Sequence, residues 1–148
     1  MSIHLRWNWS NMHIAICGSM VFTDKMIEVK EILEQHGHSV IISPRAQRYA
    51  KKSAHQIEQI STKDKLEHDA IREYLDIIKC CDAILVLNYN KRGIKNYIGG
   101  NTLIEIGFAH YWKKKIFLLN PIPDISYYKS EIEATKPIIL NGHLENLS

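Results

Sequence analysis

Two kinds of hydrophobic pattern alternate along this chain. Short runs are apolar at nearly every position, and between them lie longer stretches in which apolar residues recur at three- and four-residue spacing. Met12-His13-Ile14-Ala15-Ile16-Cys17 stops at Gly18-Ser19 and reads as a buried strand entering a turn. Thr23 or Asp24 caps a helix that runs through Gln35, because Met26, Ile27, Val29, Ile32 and Leu33 fall at helical spacing, and Gly37 ends it. Ser39-Val40-Ile41-Ile42 is a second strand, closed by Ser43-Pro44. Arg45 to Lys63 is polar, basic and weakly patterned, which predicts a loop with a helical piece and the most mobile part of the chain. From Asp64 to Cys81, the positions of Leu66, Ile71, Leu75, Ile77 and Ile78 predict one long helix. Asp82-Ala83-Ile84-Leu85-Val86-Leu87-Asn88 is the clearest strand, with the unbroken apolar centre of a parallel strand covered on both faces. A loop with Gly93, Gly99 and Gly100 leads to a helix from about Thr102 to Trp112. Lys115 to Asn120 is a fourth strand, broken by Pro121 and Pro123. Ser130 to Thr135 predicts a short helix and Pro137-Ile138-Ile139-Leu140 a fifth strand.

Strands alternating with helices imply right-handed crossovers, and therefore an α/β fold: a doubly wound, mostly parallel five-stranded sheet, flavodoxin-like or Rossmann-like, with helices on both faces. The competing arrangement has the last strand absent or antiparallel. At 148 residues the chain fits a single domain over residues 12–148, preceded by an N-terminal extension over residues 1–11. The extension places Trp7 and Trp9 among polar residues and lacks the apolar segment of a signal peptide, and no apolar run nears the roughly 18 residues of a membrane span. A cytoplasmic protein without a membrane partner is expected. The net charge of +3 admits a phosphate-bearing ligand but is far from the basic stripe of a nucleic-acid binder, so no nucleic-acid partner is expected. Cys17, Cys80 and Cys81 lie in or beside apolar runs without metal spacing and read as reduced core thiols. The histidines at 36, 38, 55, 68, 110 and 143 show no HExxH or related pattern, so neither a metal nor another cofactor is expected.

Ligands of such sheets bind beyond the carboxyl ends of the strands, which directs attention to the turn after Cys17 and the loops after Asn88 and Asn120. Glu105 is the foremost candidate. It lies in the first turns of a helix preceded by Gly99, Gly100, Asn101 and Thr102, where glycines admit a ligand to the backbone and the helix N-terminus offers free N–H groups. A glutamate there is either a nucleophile or ligand clamp, or a capping residue placed for the helix dipole. Gly18-Ser19, with Met20, occupies the turn where phosphates are cradled, but neither GxGxxG nor GxxxxGK[ST] is present. Asn88 and Asn120 end adjacent strands on the productive side, where an amide can orient a hydroxyl or a base. Asp82 opens its strand at the opposite end and reads as structural.

Cys17-Gly18-Ser19-Met20, the run Asp82 to Asn88, the segment Asn96-Tyr97-Ile98-Gly99-Gly100-Asn101-Thr102-Leu103-Ile104-Glu105-Ile106-Gly107 and Leu118-Leu119-Asn120-Pro121-Ile122-Pro123 together resemble the nucleoside 2-deoxyribosyltransferase-like family, which includes deoxynucleoside 5′-monophosphate N-glycosidases. The resemblance extends from Met12 to Leu144 and is most specific in the loop and helix that end at Glu105-Ile106-Gly107. It implies cleavage or exchange at the bond between a nucleobase and its sugar. The glutamate matching Glu105 would attack the anomeric carbon, as in a retaining glycosidase. It also implies a small-molecule nucleoside or nucleotide as substrate, and a homo-oligomer whose sites are completed across subunits. Phe108, Tyr111 and Trp112 on the Glu105 helix are candidates for that interface or for the core. The family usually carries an aspartate that helps protonate the departing base. Tyr74 stands at the matching position, a candidate catalytic residue but a weaker acid with an ordinary pKa near 10. That departure keeps a non-catalytic nucleotide-binding or signalling module as the alternative.

Overall fold

The computed structural model describes residues 11–148, so the N-terminal extension with Trp7 and Trp9 lies outside the described residues apart from Asn11. Five strands form one parallel sheet: β1 (His13–Cys17), β2 (Ser39–Ile41), β3 (Ala83–Val86), β4 (Lys115–Leu118) and β5 (Ile138–Ile139), in the order β2-β1-β3-β4-β5. Every pairing is parallel, including that of the two-residue β5 with β4. Five helices connect and cover them: α1 (Thr23–Gln35), α2 (Ala54–Glu67), α3 (Ala70–Lys79), α4 (Gly100–Tyr111) and α5 (Lys129–Ala134). This is the doubly wound, flavodoxin-like order.

The central strands β1, β3 and β4 are buried on both faces, and their successive side chains feed two separate cores. Ile14 and Ile16 of β1, Leu85 of β3 and Phe117 of β4 point to one face, where Met26, Val29 and Leu33 of α1 cover them with Leu140 and Leu147. Ala15, Cys17, Ile84, Val86, Ile116 and Leu118 point to the other, against Tyr74, Leu75 and Ile78 of α3, Ile106 and Ala109 of α4 and Ile132 of α5. Each such aliphatic side chain contributes about 1.5–3 kcal/mol by leaving water. Asp82 ties the amino end of the sheet, its carboxylate accepting the His13 N–H at 2.8 Å.

The segment from Arg45 to Cys81 departs from the sequence expectation. There is no single helix from Asp64 to Cys81. A helix ends at Glu67, the chain turns at His68-Asp69, and a second begins at Ala70, with Asp69 left-handed at φ 51°, ψ 39°. Leu66, which suggests continuity in the sequence, is 81% exposed. The helical piece expected between Arg45 and Lys63 is α2, which runs on to Glu67 and is started by a reciprocal capping box between Ser53 and Gln56. Its hydrophobic period is faint because one of its two buried residues is Asp64. That carboxylate accepts from Tyr49 Oη at 2.7 Å and Arg48 Nη1 at 2.9 Å, and Arg45 stands 3.5 Å away while also holding Glu73.

Smaller corrections concern cysteines and aromatics. Cys17 and Cys81 are buried, but Cys80, at the end of α3, is exposed. Phe108 and Tyr111 do not fill the core: they are 42% and 79% exposed, whereas Trp112 packs partly against the α3–α4 side. No helix of the described residues is long and apolar enough to cross a membrane.

The Asp64 cluster yields a stability prediction. Burial pushes the Asp64 carboxyl up, but Tyr49, Arg48 and Arg45 outweigh it and hold the pKa below the ordinary value. A depressed carboxyl contributes stability above its unfolded pKa and loses it as pH falls through the folded one. Asp64→Asn is therefore expected to cost about 3 kcal/mol at pH 7 in urea melts, and the gap to wild type should close below about pH 4.

Candidate functional site

The chain leaves β1 toward β2 on one side and returns through β3 toward β4 and β5 on the other, so the winding reverses between β1 and β3. At such a point the two loops part at the carboxyl edge and leave a crevice. Here it is a cavity of about 240 Å³ with four walls. Gly18, Ser19 and Met20 come from the turn after β1, and Gly99, Gly100, Asn101 and Thr102 from the start of α4. Lys91, Arg92 and Tyr97 come from the loop after β3. Ile57, Glu58, Ser61, Thr62 and Lys65 of α2 form the roof, a wall absent from the sequence reading because the weak pattern of this segment gives its helical piece no position over the sheet.

Gly18 fits only as glycine. Its φ is +149°, and a Cβ there would stand 3.0 Å from the Leu87 carbonyl oxygen. The loop after β3 is equally defined. Lys91 and Ile94 exchange backbone hydrogen bonds at 3.0 and 2.9 Å, and Arg92 and Gly93 between them are both left-handed, at φ 52° and 72°. Two consecutive positive φ values make a type I′ hairpin turn. The hairpin presents Lys91 inward, where its Nζ donates to Ser19 Oγ at 2.8 Å and lies 5.1 Å from the centre of the Tyr97 ring. The α4 N-terminus opens at Gly99 with no side-chain cap and no acidic residue in its first turn, so its positive dipole end is uncompensated.

Glu105 sits one turn deeper in α4 than Asn101, on the same face, and is only 5% exposed. Its carboxyl lies beside the thiol of Cys17, the residue before Gly18, and close to the cavity without being part of its lining. Its Oε2 is buried with no hydrogen-bond partner, and so is Asn101 Oδ1 above it. Burial drives the Glu105 pKa up to about 7, only partly opposed by Cys17. The thiol itself is pushed far up by burial and by Glu105. A buried carboxyl with a raised pKa close to a crevice marks a candidate functional group.

The remaining candidates are placed differently. Tyr74 is buried on the α3–α4 side, and its hydroxyl donates to the Ile16 carbonyl of β1. Burial and the neighbouring Cys17 and Glu105 raise its pKa well above the ordinary tyrosine value. Asn88 and Asn120 do not line the cavity; they clasp each other. Asn88 Nδ2 donates to the Asn120 and Pro121 carbonyls at 2.8 and 3.1 Å, and Asn88 Oδ1 accepts the Asn120 N–H at 2.9 Å. Asn120 Nδ2 returns a bond to the Asn88 carbonyl at 3.1 Å. Both amides thus lock the ends of β3 and β4 together. Among the described residues no group of three His, Cys, Asp or Glu is arranged to hold a metal ion.

Fold and cavity define a Rossmann-like α/β domain with a crevice at its switch point and a buried glutamate one helical turn from its lining. No protein-family model matches the chain, and no curated protein matches it significantly.

The raised Glu105 pKa makes stability depend on pH with a definite sign. Between the unfolded carboxyl value and about 7 the folded state holds the extra proton, so stability falls as pH rises through that window. Wild type should lose on the order of 3 kcal/mol between pH 5 and pH 8 through this group. Glu105→Gln, followed by denaturant melts at both pH values, should lack that component.

Proposed function

We propose that the domain cleaves or exchanges the N-glycosidic bond of a nucleoside or nucleotide, with Glu105 as nucleophile. The observation that carries the reading is the Glu105 carboxyl itself: buried, with one oxygen unpartnered, its pKa pushed up to about 7 by burial, and one helical turn from Asn101, which lines the crevice. The likeness of the Asn96–Gly107 segment to the deoxyribosyltransferase-like family supplies the reaction class. In the ionised form one Glu105 oxygen bonds to the anomeric carbon as the carbon–nitrogen bond breaks, and the electron pair leaves with the base, which takes up a proton. Water or a second base then attacks the same carbon and returns the carboxylate.

Tyr74 enters this reading as a positioning residue. Its proton is committed to the Ile16 carbonyl, so it supports the end of β1 that carries Cys17 and Gly18, and the base is protonated from water. The same contact, together with a cavity that Glu105 does not line, favours the second reading, a nucleotide-binding module without turnover.

The readings separate in one assay: chromatography of a nucleoside and nucleotide panel incubated with the protein. Release of free base that falls at least about a thousandfold in Glu105→Gln, and less than about tenfold in Tyr74→Phe, supports the enzyme. The rate should rise with pH around an apparent pKa of about 7, as the carboxylate forms. Binding with no base released from any member of the panel leaves the module.

A further inference from the structure

The cavity lining carries three cations, Lys65, Lys91 and Arg92, and one carboxylate, Glu58. Glu58 does not merely neighbour the cations. Its Oε1 is 3.5 Å from Lys91 Nζ and accepts from Arg92 Nη2, so a single oxygen bridges two successive residues of the I′ hairpin. Glu58 projects from the roof helix α2, and Lys91 at the same time donates to Ser19 in the opposite wall. Roof, hairpin and β1 turn therefore meet at the Lys91 ammonium.

We propose that this cavity is an anion site occupied by its own carboxylate: Glu58 holds the place between Lys91 and Arg92 that a phosphate monoester takes, and the ligand enters by displacing it. The cations are set for that purpose. The Lys91 side chain is 15% exposed, fixed over Tyr97 and against Ser19, and does not need Glu58 to be oriented. With Lys65 added, the lining keeps two positive charges in excess after Glu58 is counted. The uncapped α4 N-terminus at Gly100 faces the same space, and a Cβ at Gly100 would meet nothing within 4 Å, so the backbone there is open to a ligand. A phosphate monoester brings close to two negative charges and three acceptor oxygens where Glu58 brings one charge and two, so it outcompetes the carboxylate for the same donors. Displacement requires only rotation of a side chain that is 39% exposed, because α2 is anchored elsewhere, at Asp64. The proposal uses the cavity assigned above but not its chemistry; a protein that binds phosphate and cleaves nothing obeys it equally.

The alternative role for Glu58, accepting hydrogen bonds from ligand hydroxyls, predicts the opposite sign, which makes a direct test possible. Calorimetric titration of the full chain with inorganic phosphate, and separately with a deoxynucleoside 5′-monophosphate, compares wild type with Glu58→Gln and with the double variant Lys91→Ala, Arg92→Ala. The proposal expects Glu58→Gln to bind both probes about tenfold more tightly, and the double variant to lose about a hundredfold. Equal or weaker binding in Glu58→Gln, or a double variant that still binds phosphate like wild type, overturns it. If the monophosphate binds more tightly than inorganic phosphate with the same gain, the site reads a phosphate monoester; if the two are equal, it reads the free ion. Glu105→Gln should bind inorganic phosphate as wild type does, so a failed glycosidic reaction and a failed anion site give different results.

Discussion

The architecture rests on one constraint: the central strands β1, β3 and β4 of this sheet must be covered on both faces. A parallel strand cannot return by a hairpin, so each return is a crossover helix, and two-sided burial needs crossovers on both sides. The chain satisfies this by placing β1 one strand in from the edge, winding out to β2 and then crossing to β3. The reversal parts the β1 and β3 loops and creates the crevice. The cavity is thus a by-product of burying Ile14 and Ile16 on one face while Ala15 and Cys17 are buried on the other. The same alternation dictates that Cys17, the last residue of β1, points toward α4, where Glu105 meets it.

How much of this was legible follows from where burial is apolar. The strands and helices α1 and α4 announce themselves because what they bury is hydrocarbon, and the glycine-bounded turns around Gly18 and Gly99 mark the carboxyl edge. Helix α2 is silent because it is held by ions. Asp64, Arg48, Arg45 and Tyr49 do the work usually done by a leucine stripe, and no periodicity of apolar residues records it. The break at Asp69 is equally hidden, since a left-handed aspartate looks like any other in a helical pattern. The hairpin that aims Lys91 depends on Arg92 taking a left-handed conformation beside Gly93, where an Asn-Gly or Asp-Gly pair would have been recognisable. Asn88 and Asn120 illustrate the converse: the strand-end rule locates them, but their amides are spent on each other.

Three carboxylates near the crevice show how environment assigns roles to one functional group. Asp64 is buried with cations and a hydroxyl, so it is held ionised and serves as an anchor. Glu58 remains partly in water between Lys91 and Arg92; burial pushes it up, but the two cations prevail and keep its pKa below the usual carboxylate range. Glu105 is buried with only a thiol to help it, and its pKa climbs to about 7. An isolated buried charge costs several kcal/mol, and a fold under selection for stability alone would replace it with an aliphatic residue at no loss.

That comparison is also the strongest physical argument for where the function lies. Asp64 makes structural sense, since its removal would leave Arg45 and Arg48 without their anion. Glu58 makes sense as an occupant, since it neutralises cations that would otherwise repel one another across a narrow space. Glu105 makes no structural sense alone: it stabilises no cation, caps no helix and leaves one oxygen unpaired among the described residues. On the reading proposed above, something arriving in the cavity supplies the missing interaction. The nearest groups that could share that visitor are Asn101, which also keeps an unpaired oxygen, and the open turn at Gly18. A ligand with a hydrogen-bond donor toward Asn101, an electrophilic carbon toward Glu105 and an anionic end toward Lys91 and Arg92 satisfies all three at once, and a nucleotide has each of these features.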